Sequence, residues 1–300
     1  MRKVVAQPVV KWAGGKSRLL PELFARLPAR WGRYFEPFGG GAALFFALAP
    51  ERGVLGDANG DLVRMYRALA SDVHAVIRKL RSHARAHSAD YYYDARARWN
   101  ERRASWAPAT GAAAFIYLNK TCYNGLWRVN RAGGFNVPVG RYTNPPICTP
   151  DALLAAHRIL ERAELRCGDY RATLHDAARG DLVYLDPPYE PVTATARFTS
   201  YTRDAFGQGD QRELAETARR LVARGCHVVL SNSDTPFIRA LYPDFRIDTV
   251  RCARSINSSA DRRGDVNELI IVGEPAPRPP RRLATRGDPG SALPPPAAVE

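Results

Sequence analysis

The ten residues at 181–190 constrain the fold of this 300-residue chain more than any other stretch. An apolar run at 182–185 ends abruptly at Asp186, which two prolines and Tyr189 follow. Because proline cannot continue a hydrogen-bonded ladder, the pattern predicts a buried strand that stops where the run ends. In open α/β sheets, ligands bind beyond the carboxyl ends of the strands. The stretch therefore predicts a carboxylate, a stiffened backbone and an aromatic ring at a site of reaction.

These groups suit the methylation of an exocyclic amine such as N6 of adenine, whose lone pair is delocalised into the ring. The carboxylate of Asp186 and the backbone carbonyl of Pro187 can each accept one N6 hydrogen, which favours a more nucleophilic nitrogen. Pro187 and Pro188 restrict the backbone and hold the direction of that carbonyl. Tyr189 can stack on a base that has left its duplex. The alternative is a strand followed by a proline-rich turn in which Asp186 acts only as a cap.

The net charge of +14 argues for a polyanionic partner. The segment from Ala276 onward contains four arginines and two acidic residues, so most of the excess charge lies on the preceding chain. An arginine- and alanine-rich composition, as a GC-rich genome would produce, could also account for the charge. Charge alone therefore leaves a nucleic-acid partner as one of two interpretations.

Composition favours a single large domain, or a domain with an insertion, that works in the cytoplasm. No apolar run approaches the roughly 20 residues that span a membrane, and the first residues do not resemble a signal peptide. The five cysteines are widely spaced and match neither a disulfide framework nor a zinc pattern, which predicts reduced thiols. His83 and His87 lie four residues apart, but without a third ligand nearby we expect a solvated helix face and no metal.

A glycine pair near the N-terminus predicts a close approach of the backbone to a ligand. Gly14 and Gly15 lie between Lys11 and Lys16, beside Trp12, and a helix is expected from about Ser17. A phosphate-binding loop of the G-x-x-x-x-G-K-[ST] type is disfavoured, because Val10 stands where that motif requires glycine. The remaining alternative is a turn with a buried tryptophan.

A second glycine-rich segment, at 34–46, indicates a cofactor site. A strand, three glycines (39–41) and an apolar helix follow one another, which is the arrangement that brings a cofactor against bare backbone. Asp57 ends the next short strand, 16 residues beyond Gly41, where a carboxylate can contact ribose hydroxyls. The G-x-G-x-x-G pattern of dinucleotide folds is absent. S-adenosylmethionine, which has a ribose but no pyrophosphate, therefore fits better than NAD.

The middle of the chain, at 61–118, is predicted to be helical, with examples at 61–69, 73–85, 91–103 and 112–118. The following stretch, 119–142, is basic, aromatic and rich in glycine and asparagine, which indicates a β-hairpin or a long loop. Arginine can bind guanine edges, asparagine can bind adenine, and an aromatic ring can enter a base stack. The alternative is a hairpin with ordinary surface residues.

The C-terminal half alternates predicted helices and strands. We expect helices at 152–163, 208–224 and 236–242, and strands at 165–167, 182–185, 227–230, 245–250 and 268–272. A threonine-rich loop at 190–201 could cover the substrate. The final segment, 275–300, is rich in proline and arginine and is predicted to be disordered.

Taken together, these motifs resemble the Dam family of DNA adenine-N6 methyltransferases, the D12 class. The matching segments, in chain order, are 11–16, 36–41, Asp57, 123–126 with Arg128, 135–138, 186–189, 198–201 and 231–232. The resemblance covers about 10–272. Trp127, beside Arg128, and the C-terminal tail depart from the family pattern.

The resemblance implies a Rossmann-like α/β fold that uses S-adenosylmethionine and carries an inserted helical and hairpin target-recognition domain. The implied division is 1–60 with 151–274 for the catalytic domain, 61–150 for the insertion and 275–300 for the tail. The implied catalytic residues are Asp186, Pro187, Pro188 and Tyr189. The implied cofactor-binding residues are Trp12, Lys16, Phe38, Gly39, Gly41, Asp57 and Asp186. The implied DNA-binding residues are Tyr123, which enters the stack, and Asn124, Leu126, Arg128 and Pro138.

The expected reaction is methylation of adenine N6 in duplex DNA, within GATC, by base flipping. The expected protein is a monomer without membrane attachment, nucleoid-associated in the cytoplasm, and a cognate restriction endonuclease is a candidate partner. Two alternatives remain open. One is an adenine methyltransferase with a different DNA or RNA target, and the other is an inactive, sequence-specific DNA-binding protein.

Overall fold

A central β-sheet organises the protein, and the predicted α/β, Rossmann-like architecture is confirmed. The computed structural model describes residues 6–192, 206–253 and 265–276. In this part of the chain seven strands form one sheet, in the order β3-β2-β1-β4-β5-β7-β6. The strands are β1 Tyr34–Glu36, β2 Gly53–Asp57, β3 Ala163–Cys167, β4 Leu182–Leu185, β5 His227–Ser233, β6 Arg246–Ala253 and β7 Asp265–Gly273. Strands β1 to β5 pair in parallel, and β7 is antiparallel to both of its neighbours.

The helices lie close to the predicted positions. They are α1 Leu20–Phe24, α2 Ala43–Leu48, α3 Gly60–Ala86, α4 Ala89–Arg102, α5 Pro108–Thr121, α6 Pro150–Leu160, α7 Tyr170–Thr173, α8 Gln208–Arg224 and α9 Pro236–Leu241. The helix expected from Ser17 begins later, because the Leu19 N–H bonds the Lys16 carbonyl at 2.9 Å and closes a turn there. The two predicted helices at 61–69 and 73–85 form one element that is kinked at Asp72, where φ is −151° and ψ is 73°. The Asp72 carboxylate accepts the Ala75 N–H at 2.8 Å and so caps the second half.

Strand β4 lies at the centre of the sheet and is buried on both faces. Its side chains alternate between two apolar clusters, as the pleat of a strand requires. Leu182 and Tyr184 join the cluster beneath α2, α3, α5 and α6, whereas Val183 and Leu185 join the cluster beneath α8 and α9. This double burial explains why the sequence of β4 is an uninterrupted apolar run.

The strand order places the predicted site residues at a topological switch point. From β1 the chain continues to β2 on one side, and β4 later pairs with β1 on the other side. A crevice therefore opens beyond the carboxyl ends of β1 and β4. Glu36 ends β1, Asp57 ends β2 and Asp186 follows β4, so three acidic residues meet at this edge.

Residues 122–139, called the hairpin below, form an irregular antiparallel excursion after α5. Only two isolated bridges, Cys122 with Val139 and Val129 with Phe135, pair its arms in regular register. A single 3-10 turn, Tyr123–Gly125, follows its start. The apolar cluster beneath α3 and α5 extends into the hairpin through Phe135 and Val137. The division of the chain into catalytic and target-recognition parts stays a prediction.

Some predictions concern residues outside the described part of the chain. These are most of the proposed cover at 190–201, the family segment at 198–201, and nearly all of the predicted tail. Within the described ranges, no helix combines the length and apolarity needed to cross a membrane.

Candidate active site

A cleft of about 1340 Å³ lies beyond the carboxyl ends of the parallel strands. The segments that line it include the N-terminal loop, the glycine turn at 39–41, the tetrapeptide at 186–189 and the hairpin turn at 124–126. The predicted site residues that line it are Trp12, Lys16, Phe38, Gly39, Gly41, Asp57, Asn124, Leu126, Asp186, Pro187, Pro188 and Tyr189. Tyr123, Arg128 and Pro138 lie on the hairpin but outside the lining of the cleft.

Asp186 is held from two directions at the end of β4. Its Oδ1 accepts a hydrogen bond from Ser231 Oγ at 2.8 Å and an ion pair from Lys16 Nζ at 2.9 Å. Ser231 in turn lies 2.9 Å from the hydroxyl of Tyr184. Burial raises the pKa of Asp186, although Lys16 and Ser231 oppose that shift by stabilising the charged form. The carboxylate is therefore oriented before any substrate arrives.

Lys16 joins the N-terminal loop to the tetrapeptide. Its Nζ donates to the Gly14 carbonyl at 2.5 Å and lies 4.5 Å from the centre of the Tyr189 ring. The ammonium thus contacts a carboxylate, a carbonyl and an aromatic face at once. It lies between the segment predicted to bind the cofactor and the segment predicted to be catalytic.

Two side chains that the sequence analysis did not select hold the tetrapeptide. The Tyr189 hydroxyl donates to Glu268 Oε2 on β7 at 3.0 Å. The Pro188 carbonyl accepts from Gln211 Nε2 on α8 at 2.8 Å, and Gln211 Oε1 accepts from Asn232 at 3.1 Å. Gln211 is fully buried. Its position, three and four residues before Leu214 and Ala215 on the apolar face of α8, is a signal that could have identified it.

The glycine turn is built around Gly40. Its N–H donates to Asp57 Oδ2 at 2.8 Å, and its carbonyl accepts from the Tyr66 hydroxyl at 2.7 Å. Gly40 has φ +48°, and a Cβ atom there would lie 2.7 Å from Cδ1 of Trp12. Gly40 therefore needs both its positive φ and its lack of a side chain, and Gly39 also has no room for a side chain, because a Cβ there would lie 2.9 Å from the Gly56 carbonyl oxygen. Burial raises the pKa of Asp57, and the N–H groups of Gly40 and Asn59 oppose that shift.

Glu36 is a second buried carboxyl group in the cleft. It is 3% exposed, and its Oε2 accepts from the Tyr34 hydroxyl at 2.6 Å. Burial raises the pKa of Glu36 to about 8. The cleft therefore pairs a carboxyl that retains its proton near neutral pH with Asp186, which Lys16 neutralises. Glu36 belongs to the family segment at 36–41, but it is not among the predicted site residues.

The hairpin carries the predicted DNA-binding residues at its turn and along its arms. Tyr123 is 46% exposed, and its N–H donates to the Pro138 carbonyl at 2.9 Å. Arg128 Nε donates to Asn136 Oδ1 at 2.9 Å, which directs the guanidinium across the two arms. Asn124 is exposed and adopts φ +55°.

Trp127, the departure beside Arg128, packs inward. Its ring centre lies 3.9 Å from Phe115 on α5 and 4.4 Å from Phe135 on the opposite arm. Its bulk therefore anchors the hairpin to the helices.

His83 and His87 do not form a solvated face, so that prediction is wrong. The His83 ring stacks on Tyr117 at 4.7 Å, and its Nδ1 lies 2.9 Å from the Tyr91 hydroxyl. His87 Nδ1 lies 3.0 Å from the Tyr117 hydroxyl. Burial lowers the pKa of His83 to about 4. Among the described residues, no group of three His, Cys, Asp or Glu side chains could hold a metal ion.

Comparisons with known proteins agree with this geometry. A family model, D12 class N6 adenine-specific DNA methyltransferase, matches residues 12–256. Type II methyltransferase M1.LlaDCHI of Lactococcus lactis is 37% identical over 273 residues, which cover 90% of this chain and 96% of that protein. Type II methyltransferase M.MjaIII of Methanocaldococcus jannaschii is 38% identical over 284 residues, with 89% and 98% covered. DNA adenine methylase of Escherichia coli is 36% identical over 271 residues, with 89% and 95% covered.

Proposed function

The chain belongs to the D12 class of N6 adenine-specific DNA methyltransferases, and we propose that it methylates an adenine flipped out of duplex DNA, within GATC, using S-adenosylmethionine. One observation carries the proposal. Asp186 lies at the switch point with Oδ1 held by Lys16 and Ser231. Among the described residues, its hydrogen bonds go to Oδ1, so Oδ2 remains available to a substrate amine.

The residues around the cleft fit S-adenosylmethionine. The glycine turn presents bare backbone, and Trp12 lies directly against it, since a Cβ at Gly40 would be 2.7 Å from Cδ1 of Trp12. Asp57 can accept from ribose hydroxyls, and Phe38, which stacks on Tyr170 at 5.2 Å, offers an apolar wall for the adenine ring. When bound, S-adenosylmethionine supplies an electrophilic methyl group on a sulfonium centre.

The tetrapeptide binds and activates the target adenine. Asp186 Oδ2 and the Pro187 carbonyl accept the two N6 hydrogens, which frees the nitrogen lone pair from conjugation. The Tyr189 ring stacks on the base, held in place by Glu268 at its hydroxyl and by Lys16 over its face. After transfer, N6 is cationic and passes one of these protons to the Asp186 carboxylate, from which the proton leaves to water. The ion pair with Lys16 favours the charged Asp186 that this role requires.

The hairpin reads the target sequence. The exposed ring of Tyr123 enters the stack beside the flipped base, and Asn124, Leu126, Arg128 and Pro138 contact the site. GATC is proposed from the similarity of these residues to the Dam family and from relatives named DNA adenine methylase. The proposed units are 1–60 with 151–274 for catalysis and 61–150 for recognition. The protein works as a monomer on the nucleoid, because one chain supplies both walls of the cleft.

A partner restriction endonuclease is a further part of the proposal. It is supported by the relatives named type II methyltransferases. The relatives named DNA adenine methylase leave a solitary enzyme as the alternative. Co-purification of an endonuclease with the native enzyme would distinguish a restriction partner from a solitary enzyme. Protection of cellular DNA against an endonuclease that GATC methylation blocks would not, because both kinds of enzyme would give it.

The test is methyl transfer from labelled S-adenosylmethionine to matched substrates. One duplex contains GATC, a second contains GTAC in the same flanks, and an RNA duplex carries the first sequence. We expect label only on the GATC duplex, recovered as N6-methyladenine. Label on both DNA duplexes would overturn the proposed target, and label on RNA would overturn the proposed substrate class. Enhanced fluorescence of 2-aminopurine at the target position would support base flipping, and unchanged fluorescence would contradict it.

A further inference from the structure

Asn119, at the end of α5, joins two walls of the cleft. Its side chain is fully buried. Oδ1 accepts the Lys11 N–H at 2.8 Å, and Nδ2 donates to the Lys11 carbonyl at 2.8 Å and to the Gly125 carbonyl at 3.1 Å. One amide thus binds both backbone groups of Lys11, as a neighbouring strand would, and also binds the turn of the hairpin.

On the cofactor side, fixing Lys11 fixes the loop that follows it. The Gly15 N–H bonds the Trp12 carbonyl at 3.1 Å, and Lys16 Nζ bonds the Gly14 carbonyl at 2.5 Å. The loop is therefore a closed turn that can shift only as a unit. Its far end holds Asp186 through the ion pair of Lys16 at 2.9 Å.

On the DNA side, Gly125 lies directly against the same loop. Its φ is +66°, and a Cβ atom there would lie 2.5 Å from Cβ of Lys11. Its neighbours Asn124 and Leu126 are the two predicted DNA-binding residues that line the cleft. The position of Gly125 relative to Lys11 therefore sets the distance of Asn124 and Leu126 from the loop at 11–16.

A row of aromatic rings runs beside Asn119 and joins the same two walls. Phe115, one helical turn earlier on α5, lies 6.3 Å from Trp12 on one side and 3.9 Å from Trp127 on the other. Residues four apart share a helix face, so α5 presents Phe115 and Asn119 together. The rings supply contact area, but only the amide has the directional bonds that fix register.

We propose that Asn119 is a positioning residue that fixes the loop at 11–16 against the hairpin turn, so that cofactor affinity and target discrimination depend on one amide. The inference rests on the proposed function, because it assigns the cofactor to one wall and DNA to the other. A buried carbonyl that loses its donor is costly, so the loop and the turn would separate if the amide were removed.

Asn100 on α4 offers a matched control. It forms the same pair of bonds with one backbone residue of the hairpin: Oδ1 accepts the Phe135 N–H at 2.8 Å, and Nδ2 donates to the Phe135 carbonyl at 3.0 Å. Phe135 lies on the arm of the hairpin far in sequence from Gly125, and Asn100 does not line the cleft. The two asparagines therefore share the bonding pattern but differ in what they connect and in burial, because Asn100 is exposed and Asn119 is fully buried.

The experiment compares Asn119→Asp with Asn100→Asp in the full chain. Each change keeps the acceptor and removes the donor. Calorimetry with S-adenosylhomocysteine measures cofactor affinity, and initial rates on the GATC and GTAC duplexes measure discrimination. For Asn119→Asp we expect affinity and discrimination each to fall about tenfold. For Asn100→Asp we expect weaker DNA binding, with S-adenosylhomocysteine affinity within about twofold of wild type.

Asn119→Ala, which removes the amide without burying a charge, is the second variant in case the aspartate prevents folding. Wild-type affinity for S-adenosylhomocysteine in both Asn119 variants would overturn the proposal. An equal loss of affinity in Asn100→Asp, with an equal fall in melting temperature, would also overturn it, because the effect would then be one of general stability. A wild-type protein that binds S-adenosylhomocysteine but methylates neither duplex would overturn the proposed target instead, while the calorimetry would still decide the role of Asn119.

Discussion

The catalytic edge of the sheet and the hairpin face the same cleft, but different bonds hold them in place. At the catalytic edge, Glu36, Asp57 and Asp186 each end or follow a strand in a continuous ladder. The hairpin has two isolated bridges, and its backbone is held largely by side chains. Tyr92 and Arg96 both donate to the Val137 carbonyl, at 2.8 Å and 3.1 Å. Asn100 and Asn119 donate to other carbonyls of the hairpin, those of Phe135 and Gly125. The strand ends are thus positioned by backbone pairing, whereas the hairpin also depends on side chains of α4 and α5.

The two regions also differ in charge. The strand ends at the cleft carry four carboxyl groups, those of Glu36, Asp57, Asp186 and Glu268, and Asp186 pairs with Lys16. The hairpin and its flanks carry arginines instead, including Arg128, Arg131 and Arg141. Because DNA is a polyanion, this division would favour the approach of a phosphate backbone to the hairpin rather than to the carboxylates.

Removal of the Asp186 carboxylate tests the catalytic edge most severely. Asp186→Ala should lower turnover by about 10³-fold or more, because it deletes an acceptor aimed at the reacting nitrogen. The ladder of β4 does not depend on this side chain, so the fold should remain. Turnover on the GATC duplex and thermal melting measure the two effects.

Asp234→Ala is the control for that change. Asp234 follows β5 at the same edge and pairs with Arg239 at 2.7 Å. It should retain most activity. Turnover by Asp186→Ala at the wild-type rate would contradict the assignment of the catalytic carboxylate.

A methyl group at Gly40 tests whether the backbone shapes the cofactor wall. Gly40→Ala meets the Trp12 ring and strains a residue at φ +48°, which costs about 1–2 kcal/mol before the clash is counted. We expect affinity for S-adenosylhomocysteine to fall about 10- to 100-fold by calorimetry. In contrast, Gly111→Ala meets nothing within 4 Å. It should leave affinity unchanged and raise helix stability by up to about 1 kcal/mol.

Loss of one arginine tests whether the hairpin reads bases through side chains. Arg128→Ala should relax preference at one base pair by about 1–3 kcal/mol without changing cofactor affinity. Arg131→Ala, an exposed change on the same hairpin, should instead weaken binding to all sequences and reduce the salt slope by about one. Rates on duplexes with each single substitution in GATC distinguish the two. Uniform weakening by Arg128→Ala would make it a phosphate contact.

A last test uses the pH dependence of stability, to which Glu36 at the catalytic edge and His83 on α3, outside the hairpin, should contribute with opposite sign. The pKa of Glu36 is raised to about 8, so folded Glu36 keeps a proton that the unfolded chain releases. Its contribution to the free energy of unfolding therefore falls as pH rises from about 4.5 to 8. The pKa of His83 is lowered to about 4, so folded His83 stays neutral where the unfolded chain binds a proton, and the free energy of unfolding falls as pH drops from about 6.5 to 4.

Melting temperatures across this range test both groups. The melting temperature of Glu36→Gln, taken relative to wild type, should be higher at pH 8 than at pH 5. That of His83→Gln, taken relative to wild type, should be higher at pH 4.5 than at pH 7. Each slope is at most about 1.4 kcal/mol per pH unit. Parallel curves for wild type and both variants would show that neither group is shifted.

Local patterns predicted the catalytic edge well. The apolar run at 182–185 became the central strand, and the glycine turn at 39–41 lies between a strand and a helix, because proline restricts the backbone and glycine permits conformations that other residues avoid. Patterns predicted the hairpin less well. They left hairpin and loop as alternatives, since the bonds that hold it come from α4 and α5, up to 45 residues away.

Pairings distant in sequence account for what was missed. In the sequence Gln211 is only a polar residue on an apolar helix face, and its bond to the Pro188 carbonyl is seen only in the fold. His83 likewise resembles a surface residue in the sequence, but in the fold it stacks on Tyr117. In the sequence Trp127 is only a bulky neighbour of Arg128, whereas in the fold its ring packs between Phe115 and Phe135.

Local sequence patterns were enough to predict which chemical groups follow the central strands, because strand endings and glycine turns depend on the local freedom of the backbone. The bond between Asn119 and Lys11, 108 residues apart, exists because of the way the chain folds, and it joins the loop at 11–16 to the hairpin. An amide has no partner preference that its neighbours in sequence reveal, and its role depends on which buried backbone groups the fold leaves to be satisfied.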